Sequence, residues 1–245
     1  SKATCSVNVM RQTISMSGGN PIYAKGTGSS TQLTATVNGT VGNDAVAWTS
    51  GNTNIAKVSG GKVTGVGAGT VTITATSNGV STSKSIQVKE PTIKLDRETA
   101  NIYPPATKTV TFTVTVNGVQ GNSGVTWRSG NTKVATVSNG KVTAVGKGTA
   151  TITAKANGKL AKAKVTVKDP YANVSPTSGT IKVGKTLQLT TNYAPASTGT
   201  PSYSSSNKKV ATVDSKGVVK GVKAGTATIT VKVNGVTAKA EITVK

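Results

Sequence analysis

Apolar and polar positions alternate with a period of two along much of this 245-residue chain. In "TATITAK", Ala150, Ile152 and Ala154 fall on one face, while Thr149, Thr151 and Thr153 fall on the other. That is the pattern of a half-buried strand. "LAKAKVTVK" continues it, with Ala161, Ala163, Val165 and Val167 alternating with Lys162, Lys164, Thr166 and Lys168. Its composition also suits a helix. The same slot later reads "TAKAEITVK", where Ala238, Ala240, Ile242 and Val244 alternate, which settles it as strand. In the first such slot Lys84 stands where Ala163 stands, so that strand is expected to begin late or fray. Asn-Gly pairs divide the paired runs at Asn78-Gly79, Asn157-Gly158 and Asn234-Gly235. Both residue types accept positive φ, so each pair predicts a type I′ hairpin turn. An earlier reversal falls at Gly69, Gly148 and Gly225, where the chain turns with little steric room.

The whole pattern occurs three times. Trp48, Trp127 and Tyr203 follow one another at intervals of 79 and 76 residues, long enough for each copy to own a core. "VKEP" (Val88–Pro91) and "VKDP" (Val167–Pro170) mark the joints, because proline removes a donor and keeps the preceding residue extended. Domains are therefore expected at 1–90, 91–169 and 170–245, each an antiparallel β-sandwich of about seven short strands. Strands of about eight residues make each domain about 30 Å long, and joints this short predict an elongated rod on the order of 100 Å. Ile73, Ile152 and Ile229 are the expected core, with Trp48, Trp127 and Tyr203 as its large plugs. The first repeat departs at "MSGGNPIYAKGTGSST" (Met16–Thr31), where later copies have the shorter "NIYPPATK" and "SGTIKVGK". A terminal repeat that departs from its siblings is often a cap, so residues 1–31 read as an attachment segment.

Trp48/Ser50/Asn52, Trp127/Ser129/Asn131 and Tyr203/Ser205/Asn207 each begin a W-x-S-x-N run, with tyrosine in the third aromatic slot. V-A-T-V, G-K-V-T-x-V and G-T-A-T-I-T-A follow. Over nearly its whole length the chain resembles the bacterial immunoglobulin-like domain, group 2. The resemblance implies an all-β fold of three tandem Ig-like sandwiches. It also implies a spacer, adhesion or decoration role on bacterial surfaces and bacteriophage particles. It carries no common catalytic site.

The residue inventory points the same way. Histidine is absent, which removes the usual general base and the commonest metal ligand. The seven acids (Asp44, Glu90, Asp96, Glu98, Asp169, Asp214 and Glu241) are scattered, and no calcium loop pattern is present. No catalytic residue, cofactor or metal is expected. A single cysteine, Cys5, rules out an internal disulfide. No run is long enough for a membrane helix, and "SKATCSVNVM" lacks the apolar region of a signal peptide.

Charge adds a partner class. Twenty-nine basic against seven acidic residues give +22, divided as +5, +9 and +8 over the three domains. Such a field favours anionic surfaces, and Lys147, Lys162, Lys164, Lys208, Lys209, Lys220 and Lys223 are the candidate contacts. Three arginines and 3% aromatics argue against specific nucleic-acid reading. The leading expectation is a non-enzymatic component of a virion exterior, a capsid decoration or tail fibre. It would attach to a large assembly through its N-terminal domain and hold anionic cell-surface polymers weakly. A segment of a bacterial surface or secreted adhesin, and a carbohydrate-binding module of an envelope-degrading enzyme, are the alternatives. The oligomeric state is left open.

Overall fold

The computed structural model describes residues 12–38, 40–41 and 46–245. Cys5 and Asp44 lie outside the described residues. Every regular element among the described residues is a β-strand. No sheet among them runs from one repeat into the next. By contact the chain forms two compact units. One holds the residues up to Asp96 with Thr113–Thr126 and Ala154–Ala161; the other holds Arg97–Phe112, Trp127–Thr153 and Lys162–Lys245.

The third repeat shows the plan. Its four-stranded sheet runs Ser178–Ile181, Val236–Val244, Gly225–Val233, Ser202–Ser205. A three-stranded sheet runs Thr186–Gln188, Val218–Gly221, Ala211–Val213, and Tyr171–Ser175 pairs with Thr190–Ala194. All pairings are antiparallel except one: Ser178–Ile181 runs parallel to the last strand, Ile181 lying opposite Val244. The same parallel closure recurs as Ile22 opposite Val88 and Ile102 opposite Val167. Each repeat thus starts in one sheet and crosses to the other before its second strand, as a sandwich of this size requires to cover both faces.

Alternation sets the core. Ala227, Ile229 and Val231 on one strand meet Ala240, Ile242 and Val244 on the next, all essentially sealed from water. Ile73, Ile152 and Ile229 are each 0% exposed. The hairpins between these strands are tight. Asn78, Asn157 and Asn234 have φ near 50°, and Gly79, Gly158 and Gly235 near 80°, the two positive angles of a type I′ turn. Gly225 opens its strand at φ 145°, and a Cβ there would lie 3.0 Å from Val210 Cγ2.

One expectation is corrected. The strand carrying Lys84 neither starts late nor frays: Val80–Lys89 pairs with Gly69–Ser77 from Val80 onward. Lys84 takes an inward position opposite Ile73, half-buried, and its ammonium donates to the Gly18 carbonyl. The aliphatic stem packs where alanine stands in the sister repeats, and the charged end escapes to a backbone acceptor. The large aromatics pack against the cores from their margins, as Trp48 and Tyr203 show. Trp48, Trp127 and Tyr203 are half-buried, and the sealed large side chains include, besides the isoleucines, Leu33, Phe112 and Leu189, at 0%, 1% and 1% exposure. These three occupy one equivalent slot, each backbone N–H donating to the carbonyl of Gly61, Gly140 or Gly217.

Candidate functional site

The repeated Ser and Asn of the signature are spent on a loop. Ser50 Oγ donates to the Ala56 carbonyl at 2.7 Å and Ser129 Oγ to the Ala135 carbonyl at 2.6 Å. The side-chain oxygens of Asn52, Asn131 and Asn207 accept the N–H two residues on, at 3.0–3.1 Å. Their carbonyls accept two further N–H groups each, such as Val210 and Ala211 at 3.0 Å. This is a single capped turn that engages the side-chain oxygens of both residue types.

The aromatic rings close the open side of each sandwich. Tyr203 reaches from an edge strand of one sheet until its ring lies 3.0 Å from where a Cβ of Gly217 would stand, beneath the other sheet. Its hydroxyl shares a 2.9 Å hydrogen bond with Thr191 Oγ1. Trp127 likewise abuts Gly140. Trp48 packs against the core around Ile22, Leu33 and Ile73, and its Nε1 is buried with no partner among the described residues. Outside each later ring lies a shallow groove: about 510 Å³ beside Trp127, Arg128, Ser129 and Thr136, and about 250 Å³ beside Tyr203, Ser204, Lys208 and Thr212.

The seven predicted lysines divide into groups. Lys147 is exposed and paired with Asp169. Lys162 and Lys164 are exposed on Lys159–Val167, Lys164 lying opposite Thr99. Lys208, Lys209, Lys220 and Lys223 are exposed and share one end of the third repeat. Val222 and Lys223 donate their backbone N–H groups to the Val210 carbonyl, beside Lys209, and Thr212 lies opposite Lys220. Sequence reasoning missed two neighbours there. Lys182 and Lys185 are drawn in because Gly221 N–H donates to the Lys185 carbonyl and Val183 N–H to that of Lys245. The parallel register of Ser178–Ile181 with the last strand and the antiparallel register of Thr186–Gln188 with Val218–Gly221 together reveal this.

In the first compact unit, the start of the second repeat is fastened to the first. Asn117, 6% exposed, donates from Nδ2 to the carbonyls of Lys25 at 2.9 Å and Thr27 at 3.1 Å. Its Oδ1 accepts the Thr92 N–H at 2.9 Å. Gly26 leaves room for the Asn157 side chain: a Cβ there would stand 2.1 Å from Nδ2. Glu90 pairs with Lys159 at 2.8 Å. Residues 14–31, the greater part of the expected attachment segment, are built into the first sandwich through Ile14–Gly18 and Ile22–Tyr23.

The scattered acids serve locally. Asp96 Oδ1 accepts the Thr113 N–H at 3.0 Å, and Asp214 Oδ1 those of Lys216 and Val218. No group of three or more His, Cys, Asp or Glu that could hold a metal occurs among the described residues. No helix among them is long and apolar enough to cross a membrane.

Comparison with known proteins places this geometry. A stretch of 150 residues is 34% identical to an uncharacterised protein of Clostridium acetobutylicum, covering 58% of this chain and 15% of that protein. Another of 52 residues is 56% identical to a 3-O-alpha-D-galactosyl-alpha-L-arabinofuranosidase of Bifidobacterium longum, covering 20% of this chain and 5% of that enzyme. The chain thus matches only a small part of each relative. Among solved structures, the three N-terminal domains of the outer capsid protein Hoc of bacteriophage RB49 are similar at a TM-score of 0.40 and 10% identity, over 96% of this chain and 98% of that one. The family pattern itself matches three times, at residues 10–88, 92–167 and 171–244. The chain therefore belongs to the bacterial Ig-like domain (group 2) family, as three tandem copies.

Proposed function

We propose that this chain is a non-enzymatic structural and adhesive stretch of a protein displayed on an outer surface. The first reading of that surface is a bacteriophage particle, as capsid decoration or tail-exterior fibre. There the first repeat faces the large assembly, and the later, more basic repeats hold anionic polymers of the host surface weakly. The observation that carries the structural role is the fastening of Asn117 to Lys25 and Thr27. It spends a buried asparagine on holding one repeat against the next, which a display element needs. Immunogold labelling with an antibody to the third repeat tests the reading. Gold on the outside of phage particles is the expected result. Gold confined to the bacterial envelope assigns the chain to an adhesin instead, and absence from every outer surface overturns the proposal.

A carbohydrate-binding accessory module is the second reading. It is favoured by the grooves beside Trp127 and Tyr203 and by the 52-residue similarity to a glycosidase. Titration calorimetry with arabinogalactan separates the two: saturable binding lost in Trp127→Ala supports the module, and no heat at millimolar sugar rejects it.

A further inference from the structure

The three repeats provide an internal comparison. Strand register and backbone hydrogen bonds align Lys182, Lys185, Lys208, Lys209, Lys220 and Lys223 with Tyr23, Ser29, Thr53, Asn54, Thr64 and Gly67 of the first repeat. The second repeat has lysine at two of these positions, Lys108 and Lys133. These six positions therefore carry no lysine, then two, then six, on one scaffold. Since the first repeat fills these six positions with neutral residues, folding does not require charge at them.

We propose that this end of the third repeat is a binding surface for a linear anionic polymer of the cell envelope. Five of its six lysines project from three loops and Lys220 from the adjoining strand Val218–Gly221, all tied together by the Gly221–Lys185, Lys223–Val210 and Val183–Lys245 backbone hydrogen bonds. All six are exposed, and none forms an ion pair among the described residues. The repeat's own acids stand elsewhere: Asp214 in the turn at the far end of its strand pair, and Glu241 within the last strand. Val183 and Val222, 53% and 44% exposed, lie among the lysines and offer apolar contact to the polymer's carbon skeleton. Lysine is a point charge on a flexible stem, suited to single charges spaced along a chain. The planar fork that grips one phosphate belongs to arginine, which this repeat lacks.

The surface rests on the adhesive reading above but is tested apart from it, because binding is measured on purified protein. The full chain is compared with K208T/K209N/K220T/K223G, which installs the first-repeat residues, and with K94T/K216T/K232T/K239T, which removes equal charge elsewhere. Circular dichroism verifies folding. Binding to poly(glycerol phosphate) and to polygalacturonate is measured by calorimetry from 25 to 200 mM salt. We expect the first variant to lower the log–log salt slope by about 3, the counterions that four contacts release, and the second to change it by less than about 1. Preference for the first polymer identifies a phosphodiester ligand and for the second a carboxylate, and either supports the surface. Equal loss in both variants shows a general field and overturns it. Binding to duplex DNA as tight as to either polymer overturns the envelope assignment.

Discussion

The side chain of Asn117 holds the backbone of Lys25, ninety-two positions away, through a 2.9 Å hydrogen bond. The amide is fully used, since Thr27 takes its second proton and its Oδ1 accepts the Thr92 N–H. Asn117 also sits at φ 51°, which asparagine tolerates and alanine resists. Asn117→Gly keeps the backbone and loses the three bonds, so it isolates their contribution. The expected loss is about 1–3 kcal/mol, with faster amide exchange at Thr92. Unchanged exchange and stability would show that the fastening contributes nothing.

The aromatic slot gives a paired prediction. Tyr203→Phe removes the bond to Thr191 and should cost about 0.5–1.5 kcal/mol in urea denaturation. Trp48→Phe removes an indole N–H that has no partner among the described residues. Its cost should come from lost volume alone, about that of other cavity-forming exchanges of modest size. A hydrogen-bond-sized penalty that a Trp48→Leu variant does not share would contradict this.

Glycine positions should differ by surroundings. Gly225→Ala combines φ 145° with a Cβ 3.0 Å from Val210, whereas Gly235 at φ 80° has nothing within 4 Å of its added carbon. Thermal melts should show a loss of about 1–3 kcal/mol for the first and about 1 kcal/mol for the second. Equal losses would mean that Val210 yields without cost.

The Glu90–Lys159 pair is exposed on both sides, at 63% and 46%. Glu90→Gln should therefore change stability by less than about 1 kcal/mol, both at low salt and in 1 M salt, where screening leaves the pair still less. A larger effect in either experiment would give the pair a greater part in the joint than its exposure allows.

Strands and hairpins were legible because alternation and Asn-Gly turns are local signals, and three copies vote on each slot. The slot of Leu33, Phe112 and Leu189 was not, since its residue type changes between copies and its strand breaks around it in the later two. Lys84 misled because a lysine's stem and head obey different rules. Lys208, Lys209, Lys220 and Lys223 were visible as charge, but their union with Lys182 and Lys185 depends on register across one parallel and one antiparallel pair. The partner of Asn117 was not legible either, since nothing local records a carbonyl ninety-two positions upstream.

The parallel closure of each sandwich bears on tension. Tyr171–Ser175 leads into Ser178–Ile181, which pairs with Val236–Val244 at the other end of the same repeat. A pull on the two ends of that repeat draws these strands past each other along their length. Their hydrogen bonds must then give way together rather than unzip one by one. Single-molecule stretching should accordingly record an abrupt, high-force rupture for each repeat, with the lengthening of one sandwich between events.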